Sequence, residues 1–129
     1  VGFRPAGSIA ESLVAIALCI VFGFAFTWVF LLIGLVAGSA QAAQGMSLVV
    51  FPLTFVSSAY VPVDSMPGWM QPAARHQPLT AMVDAARAWV VDDPAAVIGK
   101  STAAATVTAL LWCAGLVAVF APPVVARYR

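Results

Sequence analysis

The chain has 129 residues, of which 63% are hydrophobic and only 9% charged, with a mean hydropathy of +1.01 and a formal net charge of +1. Soluble globular domains carry roughly a quarter charged residues, so this composition excludes that class and describes a membrane protein. The small net charge, with no cluster of Lys and Arg, also leaves no electrostatic footprint for nucleic acid.

At the N-terminus, Val1-Gly2-Phe3-Arg4-Pro5 lacks the charged, apolar and small-residue order of a signal peptide, and the chain reads as a fragment. No charged residue occurs between Glu11 and Asp64, a run of 52 residues, against roughly 20 for one crossing of a bilayer. The run is therefore expected to cross twice. Its small and polar stretch Gly38-Ser39-Ala40-Gln41-Ala42-Ala43-Gln44-Gly45 is the natural turn. A first span is expected over about 11–37 and a second over about 44–61, kinked at Pro52. Glu11, at the edge of the first span, suits a helix N-terminus, where the macrodipole favours a carboxylate.

The stretch Pro62–Val91 departs from plain hydrophobicity and predicts two short amphipathic helices forming a hairpin over about 64–91. In the first, Asp64 and Ser65 are expected to cap, Pro67 suits the first turn, and Met66, Trp69, Met70 and Ala73 recur at helical spacing. His76-Gln77-Pro78 breaks it. In the second, Leu79, Met82, Val83, Ala86 and Trp89 or Val90 share one face, with Thr80, Asp84 and Arg87 on the other. Asp84 and Arg87, three apart, are a candidate ion pair.

Asp92-Asp93-Pro94 then marks a turn, and a third span is expected over about 101–121, ending near Ala121 because Pro122-Pro123 follows. Gly34 with Gly38 and Ala114 with Ala118 are small-xxx-small pairs that permit close helix approach.

Chemistry-bearing motifs are few. Gly99-Lys100-Ser101 resembles the end of a phosphate-binding loop, but Pro94 occupies the position of the required first glycine. Lys100 instead reads as an interfacial lysine snorkelling at a span start. The span interiors hold no His, Asp, Glu or Lys that could act as catalytic base or proton carrier. His76, the only histidine, reads as a surface or capping residue. Cys19 and Cys113 lie in uncharged runs that suit neither a disulfide framework nor a metal site. These features describe a chain that is not an enzyme and carries no cofactor of its own.

The segments Phe51-Pro52-Leu53-Thr54-Phe55-Val56-Ser57-Ser58-Ala59-Tyr60-Val61-Pro62, Met66-Pro67-Gly68-Trp69-Met70-Gln71, Gln77-Pro78-Leu79-Thr80 and Val83-Asp84-Ala85-Ala86-Arg87, in that order, resemble the membrane subunit of type-2 ABC exporters, closest to the daunorubicin-resistance branch. The resemblance implies an all-α membrane protein: three transmembrane helices, with an exterior re-entrant amphipathic hairpin between the second and third. Residues 1–129 would then be the C-terminal part of an ABC-2 type permease domain.

As to function, the resemblance implies a permease subunit of an ATP-driven exporter in the bacterial plasma membrane, moving a hydrophobic drug or lipid outward. A partner ABC ATPase would bind ATP and Mg, and a second copy or related permease would complete the pathway. A non-transporting membrane scaffold or assembly subunit is the alternative. The family orientation puts the hairpin outside and the C-terminus in the cytoplasm. Counting cations opposes it, with Arg4, Arg75, Arg87 and Lys100 outside against Arg127 and Arg129 inside.

Candidate exit-gate or substrate-path residues are Phe51, Pro52, Phe55, Ser58 and Tyr60 at the end of the second span, and Met66, Trp69, Met70, Met82 and Trp89 in the hairpin. Flexible Met and broad aromatic side chains accept varied apolar shapes. The same hairpin residues suit an anchor in the headgroup layer, where Trp is enriched.

Overall fold

The computed structural model describes residues 8–57, 59 and 61–129, with the side chains of residues 53 and 54 left aside. The expected positions Arg4, Ser58 and Tyr60 lie outside the described residues. The described chain is helical, with no strand among the described residues.

Helix α1 spans Ile9–Ala37. Its start is fixed by a capping box. The Ser8 hydroxyl accepts from the Glu11 amide, and the Glu11 carboxylate accepts from the Ser8 amide, so two otherwise orphaned donors are satisfied reciprocally. At about 1.5 Å per residue its 29 residues extend about 43 Å, more than the ~30 Å hydrocarbon layer. Ala15, Leu18 and Ala25 are its only buried residues, while Leu13, Ile16, Ile20 and Phe24 are exposed. A soluble core helix would bury such side chains; here they form an outward apolar face of the kind a bilayer covers.

Gly38 ends α1 in the left-handed conformation at φ 69°, which costs glycine nothing. Ser39 immediately caps α2 (Ala40–Ser47), accepting from the Ala42 amide at 3.2 Å. The reversal is therefore two residues long, and the expected turn over Gly38–Gly45 is mostly helix. Ala and Gln are good helix formers, and a capped start lets Ala40–Gln44 use that propensity.

Helix α3 (Val50–Val56) follows α2 with only Leu48 and Val49 between, both still in right-handed helical conformation. The expected disturbance at Pro52 has a specific form. Proline has no N–H to give the Leu48 carbonyl, which accepts instead from the Phe51 amide at 3.1 Å. The hydrogen bonding tightens to i→i+3 for that turn and resumes afterwards. The stretch expected as a single second span is thus a broken helix over residues 40–56.

A 3-10 turn at Val63–Ser65 leads to α4 (Gln71–Arg75). Asp64 and Ser65 do not cap a helix as expected. The Ser65 hydroxyl donates to the Pro62 carbonyl at 2.7 Å, and Asp64 pairs with Arg75 at 2.6 Å. The helix starts later than expected because Pro72 must lie in a first turn, where its missing N–H is harmless. A helix begun at Met66 would have put Pro72 in its interior.

Helix α5 (Pro78–Ala88) has Pro78 in its first turn, and α6 (Pro94–Ile98) is capped by Asp93, whose Oδ1 accepts from the Ala96 amide at 3.1 Å. Gly99 stops α6 at φ 67°, and the Ser101 hydroxyl caps α7 (Thr102–Tyr128) by accepting from the Ala104 amide at 3.3 Å. Gly99-Lys100-Ser101 is therefore a helix stop followed by a helix start.

Helix α7 does not end near Ala121; it runs through Pro122 and Pro123. The prolines withhold donors from the Ala118 and Val119 carbonyls, yet the last two turns persist because they pack. Val124 is only 2% exposed, and Arg127 Nη1 donates to the Leu35 carbonyl at 3.2 Å, covering an open C-terminal acceptor of α1. The hydroxyls of Thr27, Thr106 and Thr108 each donate to the carbonyl four residues back, at 2.8–2.9 Å, so none is unsatisfied in apolar surroundings.

Helices α1 and α7 run parallel. Leu18 packs with Ala105 and Ala109 near the starts of both, and Arg127 meets Leu35 near their ends. The buried residues of the two helices are Ala105, Ala109, Cys113 and Val124 on α7 and Ala15, Leu18 and Ala25 on α1, mostly small residues that let backbones approach. The expected pairs Gly34 with Gly38 and Ala114 with Ala118 are all exposed and face away from this seam. Helix α5 wedges against the upper part of both long helices, where Leu18, Met82, Ala85, Ala88, Ala105 and Ala109 form the core, flanked by Phe22, Trp89 and Ile98.

Candidate functional site

The expected apolar face of α5 is half right. Met82 is buried together with Ala81, Ala85 and Ala88, and the expected polar face is also covered, with Thr80 at 2% and Asp84 at 8% exposure. The polar face looks into a cleft instead of open solvent, because α6 and the start of α7 fold over it.

The cleft holds about 700 Å³, with charged walls from Asp64, Arg75, Asp84, Arg87 and Lys100. It is lined also by Thr108 and Trp112 of α7 and by Val97 and Ile98 of α6. The expected Asp84–Arg87 pair is not formed; each has a different partner. Lys100 Nζ lies 3.6 Å from Asp84 Oδ2, and Arg87 Nη2 donates to the Ala59 carbonyl at 3.3 Å. The reason is directional: α5 presents Asp84 to the segment before α7, while Arg87 reaches back to the segment after α3. Asp64–Arg75 is exposed and worth under about 1 kcal/mol.

Two further bonds tie the hairpin to α7. Trp89 Nε1 donates to Thr106 Oγ1 at 3.0 Å, and Thr102 Oγ1 donates to the Ala88 carbonyl at 3.2 Å. Thr102 and Thr106 share a helix face with Ala105 and Ala109, so the surface that packs α1 also binds the end of α5. A smaller cavity of about 410 Å³ lies beside this tie, lined by Glu11, Trp89, Asp92 and Thr102 among others.

The candidate gate residues do not converge on one surface. Met82 is in the core and Trp89 packs against it. Met66 is buried, Met70 is half-buried, and Trp69 stands out at 79% exposure. Phe51, Pro52 and Phe55 are exposed on α3, the two rings meeting edge to face with centroids 5.1 Å apart. Two roles are therefore separated: Met82 and Trp89 fasten the hairpin, while Trp69, Phe51 and Phe55 present apolar surface outward. Sequence reasoning missed Lys100, Thr102 and Thr106 as hairpin partners. The available signal was a lone lysine and two threonines one turn apart at the start of a span.

His76 Nδ1 lies 2.8 Å from the Pro72 carbonyl and donates to it, closing the last turn of α4. Among the described residues no three His, Cys, Asp or Glu side chains gather to hold a metal ion.

Residues 1–90 match the family model described as ABC-2 type transporter. Across 99% of its length the chain is 36% identical to the daunorubicin resistance ABC transporter permease protein of Streptomyces coeruleorubidus, covering 43% of that protein. It is 30% identical, again over 99% of its length, to a protein of Mycobacterium tuberculosis named as a probable doxorubicin resistance ABC transporter permease protein, covering 44% of it. The chain thus spans less than half the length of the curated relatives it matches. No solved structure matches it.

Proposed function

This chain belongs to the ABC-2 type transporter family, an integral plasma-membrane permease family, and from that premise we propose that it supplies three spans of an ATP-driven exporter. One observation carries the three-span reading. Helices α1 and α7 are parallel, so the chain between them must return across the same thickness. The broken helix over residues 40–56 is the uncharged stretch available for that return, and its 17 residues reach about 25 Å, at the short end for a crossing.

In this reading the segment from Val63 to Ala88 is the re-entrant hairpin. Its α5 packs at the level of Leu18 and Ala109, about 10–14 Å along the two long helices from their starts. That depth supports a hairpin that dips into the membrane, and the family orientation would put it on the outer side with the C-terminus cytoplasmic. Two permease copies, or a related pair, would meet two ABC ATPases, whose closure on ATP alternates access to a pathway between the halves. The names of the relatives favour a hydrophobic drug over a lipid as cargo. Met82 and Trp89 would hold the hairpin over the exit, and Trp69, Phe51 and Phe55 would face passing cargo.

Reconstitution tests the reading. Drug should accumulate in inverted vesicles only when the intact permease is joined by its ATPase and ATP, since the span interiors carry no ionisable group for proton coupling. Uptake driven by a proton gradient without an ATPase would overturn it.

A further inference from the structure

We propose that the 700 Å³ cleft between α5, α6 and α7 binds the phosphate headgroup of an anionic membrane lipid, with the Arg87 guanidinium as principal donor. The proposal goes beyond export: the lipid is a resident ligand, whichever cargo moves.

The charge on the walls is the first argument. Three cations, Arg75, Arg87 and Lys100, face two carboxylates, Asp64 and Asp84, leaving an excess of one positive charge. Arg75 is committed to Asp64 at 2.6 Å, and Lys100 lies near Asp84 at 3.6 Å. Among the described contacts, Arg87 meets a neutral carbonyl only, that of Ala59 at 3.3 Å, through one of its nitrogens. A guanidinium carries five N–H donors in a planar fork, so Arg87 retains capacity for the bidentate contact that phosphate oxygens accept best. Arg87 is also half-buried, where a charge-assisted hydrogen bond is screened less than at an open surface.

Depth is the second argument. Along α7 the lining runs from Lys100, just before its start, to Trp112, about 16 Å further and roughly half the hydrocarbon thickness. Apolar side chains line the cleft beside the charged ones, Val97 and Ile98 next to Lys100 and Trp112 deeper along α7. An amphiphile with an anionic head and acyl chains matches both kinds of wall. Free phosphate would match only the charged groups, and a lipid without net negative charge would leave the excess cation uncompensated.

The test uses the intact permease in nanodiscs of phosphatidylcholine with increasing phosphatidylglycerol, followed by native mass spectrometry of retained lipid. Phosphatidylglycerol should be retained over phosphatidylcholine, and millimolar inorganic phosphate should not displace it. Arg87→Gln should lower that preference about tenfold, the loss expected for one charged hydrogen-bonding group. Arg87→Lys should recover part of it, and Arg129→Gln, exposed at the far end of α7, should leave it unchanged. The preference of the unmutated protein should also fall with salt, a measurement that needs no variant to fold. Equal retention of the two lipids, or undiminished preference in a folded Arg87→Gln protein, would overturn the site. Displacement by inorganic phosphate would show a free-anion site and overturn the lipid assignment.

Discussion

Replacing Met82 with Asp puts the hairpin's attachment under direct strain. Met82 is 7% exposed and packs with Leu18, Ala85, Ala88, Ala105 and Ala109, a cluster of methyl and methylene groups with no side-chain donor. An unpartnered carboxylate there must either ionise without solvation or stay protonated. Holding an Asp neutral at pH 7 costs about 4 kcal/mol, from ~3 pH units at 1.36 kcal/mol each, and this bounds the ionisation part of the penalty. Membrane insertion scales give about 3 kcal/mol for Asp at a helix centre, which agrees. A penalty near 3 kcal/mol shifts the equilibrium between attached and lifted α5 by about 10²-fold. Met82→Leu keeps volume and polarity and should cost under about 1.5 kcal/mol.

Two measurements follow the lifted state: hydrogen exchange at the α5 amides, and small-ion leak across vesicles holding the assembled complex without ATP. Both should rise in Met82→Asp relative to Met82→Leu. The sign with pH is fixed. The buried carboxyl has its pKa raised, so the deficit is full above that value and shrinks as pH falls toward the ordinary Asp range near 4. Acid should therefore bring the two variants together. A Met82→Asp protein that assembles, exchanges slowly and stays as tight as Met82→Leu at pH 7 would refute the reasoning.

Lys100→Met removes the cation beside mostly buried Asp84 and should lower the thermal midpoint of the detergent-solubilised protein, with Asp84→Asn added on top costing less than it does alone; additive losses would show that the pair is uncoupled. Trp89→Phe keeps the ring against the core but loses the bond to Thr106, and should speed exchange in α5 by about tenfold, with Thr106→Val giving the same change and no further loss in combination. A bifunctional thiol reagent of ~10 Å reach should join cysteines at Leu35 and Arg127, but not at Leu13 and Arg127, because α1 and α7 are parallel; a 13–127 link would reverse their relative direction. Trp69→Phe should alter the ranking of transported drugs if Trp69 faces cargo, while an anchor role would leave every cargo equally affected.

Long uncharged runs made the first and last helices legible, since a bilayer demands length and apolarity and little else. Caps were legible only in part. Glu11 read correctly as a helix N-terminal carboxylate because the macrodipole favours it locally, and the structure adds the reciprocal partner Ser8. Asp64 misled, because the same carboxylate that can cap a helix can also reach Arg75 eleven residues on, and Pro72 had already displaced the helix start. Prolines acted according to context: Pro52 altered one turn, whereas Pro122 and Pro123 changed no boundary because Val124 and Arg127 held the helix beyond them. The seam of Ala105, Ala109 and Cys113 could not be told from other alanine spacings, since partner faces are set by tertiary packing and periodicity alone is silent on them. In the candidate site, the apolar spacing placed Met82 on an inward face and the structure buries it, but Asp84's pairing with Lys100 required knowing that α6 folds the chain back.

The account rests on residues 40–56 crossing the membrane, and labelling of single cysteines by an impermeant reagent tests that most directly. In a background without Cys19 and Cys113, exposed positions Ser39 and Ser65 flank the proposed crossing. Ser65→Cys should label in intact cells and Ser39→Cys only after permeabilisation. Both positions labelling from the same side would mean that no crossing lies between them, and would contradict the three-span permease.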